Sequence, residues 1–160
     1  MTIKVGDRIP SATLRHMTAD GIDELSTEAF FKGKRVALFG LPGAYTPTCS
    51  AQHLPGFVAN ADQLKAKGVD AIACVSVNDA FVMDAWGKNQ NVGDKVMMLA
   101  DGSAELTRAL GLDLDLGARG LGVRSKRYSM LVDDGVVTAL HLEDGTGLSV
   151  SDAETLLRDL

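Results

Sequence analysis

The 160-residue sequence contains only two cysteines, Cys49 and Cys74. They lie 25 positions apart, which excludes a Cys-x-x-Cys redox motif and the paired cysteines of a zinc ribbon. Cysteines this few and this far apart are typical of free thiols in a reducing compartment. The sequence therefore predicts a cytoplasmic protein without structural disulfides.

Long apolar runs and excess positive charge are also missing. No apolar run approaches the ~20 residues that cross a bilayer, and residues 1–7 lack the apolar core of a signal peptide. The formal net charge is −5, which argues against nucleic acid or an anionic membrane as the main partner. Hydrophobic and charged contents of 46% and 23% are typical of globular proteins. They predict one domain over residues 1–160 with a sizeable core.

Apolar runs alternate with helical patterns along most of the chain. Buried strands are predicted at 34–39, 69–77 and 96–99, helices at 47–67, 79–89, 103–110 and 150–160, and hairpin strands at 127–132 and 136–142. Residues 9–15 suggest an N-terminal edge hairpin with a turn at 20–21, and Ser149 or Ser151 is the predicted cap of the last helix. This order predicts an α/β protein with a mixed β-sheet and helices on both faces.

The segment 40–49 connects the first predicted strand to the helix at 47–67 and ends on Cys49. Free N–H groups and the helix dipole favour an anion in the first turn of a helix, so the position favours a thiolate. Thr46 lies three residues earlier and can present a hydroxyl to the sulfur. Pro42 and Pro47 restrict the backbone on either side. The simplest alternative is a buried, unreactive cysteine.

The spacing of Pro42, Thr46 and Cys49 resembles the active-site signature of the peroxiredoxins, the thiol peroxidases of the thioredoxin-like superfamily. The longer matches at 42–50 and 53–57 resemble the subgroup called type V in animals and type II in plants. Further similar blocks occur at 74–82, 126–130 and 144–148. The resemblance implies a thioredoxin-like fold and the reduction of hydrogen peroxide and organic hydroperoxides through Cys49, which would become a sulfenic acid. A peroxide-sensing thiol switch that passes oxidation to a partner protein uses the same cysteine and remains the alternative.

The resemblance also indicates an arginine. The essential arginine of the family precedes an aromatic residue and opens a strand, as Arg127 does before Tyr128; Arg119 and Arg124 are nearby rivals. Peroxide reduction moves negative charge from sulfur to the departing oxygen, so fixed donors at that point stabilise the transition state. Arginine stays charged and offers a rigid fork of donors. The predicted catalytic set is thus Cys49, Thr46, Arg127 and Pro42.

Recycling of the oxidised cysteine is where the sequence departs from similar proteins. Many of them carry a resolving cysteine in a Gly-Leu-Thr-Cys-like stretch, and the matching residues here are Gly147-Leu148-Ser149-Val150. Cys74 lies in an apolar run and is predicted to be a buried hydrophobe. An outside thiol is therefore expected as reductant, glutathione with or without glutaredoxin or, second, thioredoxin. The resemblance also implies a homodimer built near the active-site face, and no cofactor or metal is predicted.

Two further features leave alternatives open. His53 lies four residues after Cys49 and is a candidate base for the thiol, although a structural role or a place at the substrate mouth is favoured. A metal site made of Cys49, Cys74 and a histidine is a third hypothesis for function, although the spacing of these residues is irregular.

The glycine-rich segment 113–123 is interpreted as a loop that lines the substrate mouth. Core positions are expected for Phe81, Trp86 and Met97-Met98.

Overall fold

The computed structural model describes residues 2–160, which form nine strands and six short α-helices within that range. The strands are β1 (Thr13–Thr18), β2 (Gly21–Ser26), β3 (Arg35–Gly40), β4 (Ala71–Ser76), β5 (Met97–Ala100), β6 (Asp113–Leu116), β7 (Gly122–Ser125), β8 (Tyr128–Asp133) and β9 (Val136–Leu142). The α-helices are α1 (Thr27–Phe31), α2 (Leu54–Ala59), α3 (Ala61–Ala66), α4 (Ala80–Asn89), α5 (Glu105–Ala109) and α6 (Ala153–Leu157). A π-helix spans Cys49–His53, and a 3₁₀ turn spans Gly117–Arg119.

Seven strands form one sheet in the order β2-β1-β5-β4-β3-β8-β9. Strands β3, β4 and β5 pair in parallel, whereas β8 and β9 add antiparallel on one side and the β1–β2 hairpin on the other. This arrangement confirms the predicted mixed sheet and its N-terminal edge hairpin. No helix within residues 2–160 is long and apolar enough to cross a membrane.

The central strands are buried on both faces, which explains their continuous apolar sequences. On β3, Phe39 belongs to the core that also contains Cys49, Cys74 and Trp86. Its neighbour Leu38 belongs to the second core, on the opposite face. Register pairing places Phe39 opposite Cys74 and Gly40 opposite Tyr128, so the carboxyl end of β3 lies at the centre of the sheet.

The predicted helix 47–67 begins at Pro47 as expected, but it is not regular. Its second turn is the π-helix, in which the Leu54 N–H bonds to the Cys49 carbonyl. Pro55 has no N–H to offer the carbonyl four residues earlier, so the normal ladder is interrupted there. Such π turns are uncommon and occur frequently at functional sites. Gly68, with φ of 98°, ends the helical region at the predicted position.

Three sequence predictions are corrected by the fold. The segment 113–123 is not a plain loop, because β6 and β7 form a separate two-stranded hairpin whose Asp-Leu-Asp-Leu alternation went unrecognised. Helix α6 is shorter than predicted and is capped by Asp152. Phe81 was expected in the core but is 66% exposed. It is the second residue of α4 and lies on the outer side of that helix.

Candidate active site

The loop that follows β3 is shaped by close backbone contacts. A Cβ on Gly40 would come within 2.3 Å of the Tyr128 ring, so only glycine lets β3 and β8 approach here. The Ala44 N–H donates to Asn78 Oδ1 at 3.0 Å, which ties the loop to the segment before α4. The Ser50 N–H donates to the Thr46 carbonyl at 2.9 Å and begins the helix that presents Cys49.

Cys49 and Arg127 meet inside the protein. Arg127 Nη2 donates to Cys49 Sγ at 3.2 Å, and the two residues are 2% and 0% exposed respectively. A buried guanidinium is costly unless its donors are used. Here Nε donates to the Thr146 carbonyl at 3.1 Å and Nη1 contacts His53 Nδ1 at 2.9 Å. Each guanidinium nitrogen of Arg127 thus has one partner: Nε has Thr146, Nη1 has His53 and Nη2 has the sulfur of Cys49.

His53 is neutral, and its tautomer follows from its partners. Because arginine can only donate, Nδ1 accepts from Arg127, so the ring proton lies on Nε2 and is donated to the Ser151 carbonyl at 3.0 Å. Burial, and then the charge of Arg127, lower the pKa of His53 to about 3. Its only basic nitrogen is already engaged, so His53 cannot serve as a base for Cys49. It orients Arg127 instead.

Thr46 and Pro42 lie on the loop, and neither makes a hydrogen bond to the sulfur among residues 2–160. The Thr46 hydroxyl donates to the Gly43 carbonyl at 2.8 Å, which leaves its oxygen free to accept. Pro42 is buried, and its carbonyl accepts from Arg124 Nη1 at 3.3 Å. Arg119 lies exposed in the 3₁₀ turn. Of the three arginines that the sequence offered, only Arg127 contacts Cys49.

Cys74 is a free thiol in the middle of β4 with no exposed surface. Burial, followed by the proximity of Cys49, raises the pKa of the Cys74 thiol well above its ordinary value, while Arg127 acts weakly in the opposite sense. The thiol is therefore neutral and unreactive at physiological pH. Within residues 2–160 no group of three or more His, Cys, Asp or Glu side chains could hold a metal ion, so the metal-site hypothesis finds no ligand set.

Glu143 is a site residue that sequence reasoning missed. Its carboxylate is buried and accepts hydrogen bonds from Ser149, Val150 and Ser151. Burial would raise the pKa of this carboxyl, but the hydrogen bonds from Ser149, then Ser151 and Val150, lower it to about 2. Nothing in the sequence marks the residue, because a glutamate after a strand and before a glycine-rich turn is usually solvated. It also explains why Ser149 and Ser151 do not cap α6 as predicted.

Comparison with known proteins identifies the family. A family model described as Redoxin matches residues 4–157. Peroxiredoxin-2E-2, chloroplastic, of Oryza sativa subsp. japonica is 54% identical, with 99% of this chain and 73% of that protein covered. Peroxiredoxin-2D of Arabidopsis thaliana is 48% identical over 99% of this chain and 98% of its own. This chain belongs to the redoxin family and is a peroxiredoxin. Reduced Prx3 of Vibrio vulnificus in complex with H₂O₂ is similar in structure, with a TM-score of 0.95, 53% identity and 98% of both chains covered.

These findings confirm the thioredoxin-like fold and the type II resemblance. The peroxiredoxin is a thiol-dependent peroxidase, hence an oxidoreductase. The prediction of a cytoplasmic protein is wrong, because two of the similar plant proteins are named chloroplastic. Cysteine usage separates oxidising from reducing compartments, but it does not distinguish one reducing compartment from another.

Proposed function

We propose that Cys49 is the residue that this peroxidase oxidises. Its thiolate attacks one oxygen of the peroxide, the O–O bond breaks, and Cys49 becomes a sulfenic acid. The other oxygen leaves as hydroxide or alkoxide and takes up a proton to give water or an alcohol. The observation that carries this proposal is the 3.2 Å contact between Arg127 Nη2 and Cys49 Sγ in a buried setting.

Arg127 is the proposed electrostatic catalyst. Its Nη2 carries two N–H groups, of which one is directed at Cys49 Sγ, so the second is available to the peroxide. A fixed positive charge stabilises the thiolate before attack and the departing oxygen during it. Such a preorganised donor in a site without water contributes roughly 10²–10³-fold to a rate. The three contacts of Arg127 support this role because they leave the guanidinium little freedom.

Thr46 and Pro42 are proposed to position the peroxide. Since the Thr46 hydroxyl gives its proton to the Gly43 carbonyl, its oxygen can accept the O–H of a hydroperoxide. That contact would hold the O–H oxygen of the peroxide, which is the oxygen that the sulfur attacks to form the sulfenic acid, near Cys49, and would leave the departing oxygen to Arg127. Pro42 is buried beside the same loop and supplies no N–H to attract water. Organic hydroperoxides and hydrogen peroxide share the –O–O–H group on which this arrangement would act.

An outside thiol is the proposed reductant. Cys74 has no exposed surface, and Val150 stands where similar proteins carry a resolving cysteine. A thiol such as glutathione attacks the Cys49 sulfenic acid, the S–O bond breaks, and water leaves with formation of a mixed disulfide. A second thiol, glutathione or glutaredoxin, then releases Cys49 by exchange. Thioredoxin is the second candidate reductant.

A homodimer is proposed at the face that carries α4. Tyr45 and Phe81 are 50% and 66% exposed, although both are large and apolar. Tyr45 lies beside α4, where its hydroxyl accepts from Asn89 at 2.8 Å, and Phe81 is the second residue of that helix. Sedimentation velocity tests the proposal: Phe81→Lys should dissociate the dimer, and Val5→Lys, at another exposed apolar residue, should not. A parent protein that sediments as a monomer at micromolar concentration would refute it.

Turnover tests the peroxidase reaction and its reductant. Peroxide-dependent consumption of thiol should be measured with glutathione alone, with glutathione and glutaredoxin, and with thioredoxin and its reductase. The proposal expects the glutathione and glutaredoxin system to support the fastest turnover. Turnover only with thioredoxin would be consistent with Cys49 as the oxidised residue but would make thioredoxin, and not glutathione, the reductant. Oxidation without turnover in any system would favour the thiol switch.

A further inference from the structure

Glu143 anchors the segment that follows β9. Its Oε2 accepts from the N–H groups of Ser149, Val150 and Ser151, each at 2.8 Å, and from the Ser151 hydroxyl at 2.7 Å. Its Oε1 accepts from the Ser149 hydroxyl at 2.7 Å. Five donors on two oxygens require an ionised carboxylate, since a protonated one would offer fewer acceptor sites and a competing O–H.

The segment 144–151 depends on very few contacts. Among residues 2–160, the hydrogen bonds that tie it to the rest of the protein go to Glu143, Arg127 and His53. It contains two glycines, and most of its residues are exposed. Without the Glu143 carboxylate, the remaining hydrogen bonds between this segment and the rest of residues 2–160 would be those to the two side chains at the active site.

The same segment holds Arg127 in place. The Thr146 carbonyl accepts from Arg127 Nε, and the Ser151 carbonyl accepts from His53, whose other nitrogen accepts from Arg127 Nη1. Two of the three contacts of the guanidinium thus lead back to residues 144–151. In addition, the Glu143 N–H donates to the Arg127 carbonyl at 3.0 Å, so the backbones of the two residues are paired.

We propose that Glu143 is a positioning residue of the peroxidase. Its carboxylate fixes the segment 144–151, and that segment orients the Arg127 guanidinium towards Cys49 Sγ. The inference rests on the proposed role of Arg127 and adds a residue that never touches the peroxide. A small displacement of a catalytic group can slow a reaction by roughly 10²-fold. Glu143→Ala should accordingly slow the reaction of Cys49 with peroxide by roughly 10- to 100-fold.

A double-mutant cycle tests this role directly. The rate of peroxide reduction is measured in single turnover for the parent, Glu143→Ala, Arg127→Gln and the double variant. If Glu143 acts through Arg127, its substitution changes the rate by less than about twofold once Arg127 is glutamine. Asp144→Ala is the matched control, because it removes an adjacent exposed carboxylate that makes no hydrogen bond within residues 2–160. An equal fold-loss from Glu143→Ala in both backgrounds would overturn the inference, since it would indicate general damage to the fold.

A second readout separates positioning from stability. Rescue by the conservative variant is this readout, and a Glu143→Gln rate no higher than that of Glu143→Ala would overturn the inference. Glu143→Gln keeps one acceptor oxygen and the shape of the side chain, so it should restore part of the lost rate; if Glu143→Ala does not fold, the cycle is run with Glu143→Gln. A parent protein that fails to reduce peroxide would refute the proposed function instead of this inference.

Discussion

Arg127 Nη2 lies 3.2 Å from Cys49 Sγ, and neither residue is more than 2% exposed. Inside a protein the attraction between a positive charge and a thiolate is much less screened than in water. The pair therefore favours the ionised sulfur that peroxide reduction needs, and the contacts with His53 and Thr146 keep the guanidinium there. In the proposed mechanism, peroxide binding, ionisation of the thiol and stabilisation of the leaving oxygen all depend on this one side chain.

Replacement of Arg127 tests that dependence. Arg127→Gln should slow peroxide reduction by roughly 10²-fold or more. Stopped-flow kinetics with hydrogen peroxide measure the rate. Arg119→Gln removes an exposed arginine and serves as the control. A parent-like rate in Arg127→Gln would move the role to another donor.

Thr46 can be tested by a pair of substitutions. Thr46→Val keeps the shape of the side chain and removes the hydroxyl that donates to Gly43, so both the loop contact and the proposed peroxide acceptor are lost. We expect the second-order rate with hydrogen peroxide to fall by roughly 10- to 100-fold. Thr46→Ser keeps the hydroxyl and should retain most of the rate. A parent-like rate in Thr46→Val together with a loss in Thr46→Ser would instead assign the effect to the methyl group and to packing.

The stability of the protein should fall in mild acid because of His53. In the unfolded chain this histidine binds a proton near pH 6.5, but in the folded protein its pKa is about 3. Between these values the unfolded state holds more protons, so the free energy of unfolding decreases as pH falls. The expected loss from pH 7 to pH 5 is roughly 2 kcal/mol. Glu143, with a pKa lowered from 4.5 to about 2, adds a loss below pH 4.5.

Urea unfolding at several pH values measures this dependence. In His53→Gln the free energy of unfolding should decline less between pH 6.5 and pH 5 than it does in the parent, whatever the stability of the variant at pH 7. His16→Gln, which removes a histidine on β1, should keep the slope of the parent. If His53→Gln and the parent lose stability in parallel over this range, His53 is not the group responsible.

Much of the fold could be predicted because its signals are local. The hairpin turn at Asp133–Gly135 and the Gly68 stop depend on a few neighbouring residues, and each occurs as the sequence indicates. The position of Cys49 in the first turns of the helix after β3 follows from the same kind of pattern. The contacts of His53 with Arg127 and Ser151 join residues far apart in the chain, and those of Glu143 span an irregular segment that matches no turn pattern. No spacing rule within one sequence records such pairs.

Recycling of Cys49 should proceed without an internal disulfide. After one equivalent of peroxide, the protein alone should gain the mass of one oxygen on Cys49 and, with more peroxide, a second. Added glutathione should convert the first product to a mixed disulfide on Cys49. Intact mass and peptide mapping measure these products. A quantitative bridge between Cys49 and Cys74, within one chain or between two, would refute the external reductant.

The most direct test of the proposed role of Cys49 is the single-turnover rate of peroxide consumption by the parent, Cys49→Ser and Cys74→Ser. Both residues are buried, so burial alone does not distinguish them. We predict that Cys49→Ser abolishes the reaction, because the sulfur beside Arg127 is lost, and that Cys74→Ser keeps most of the parental rate. Retained peroxide consumption in Cys49→Ser, or comparable loss in both variants, would contradict it.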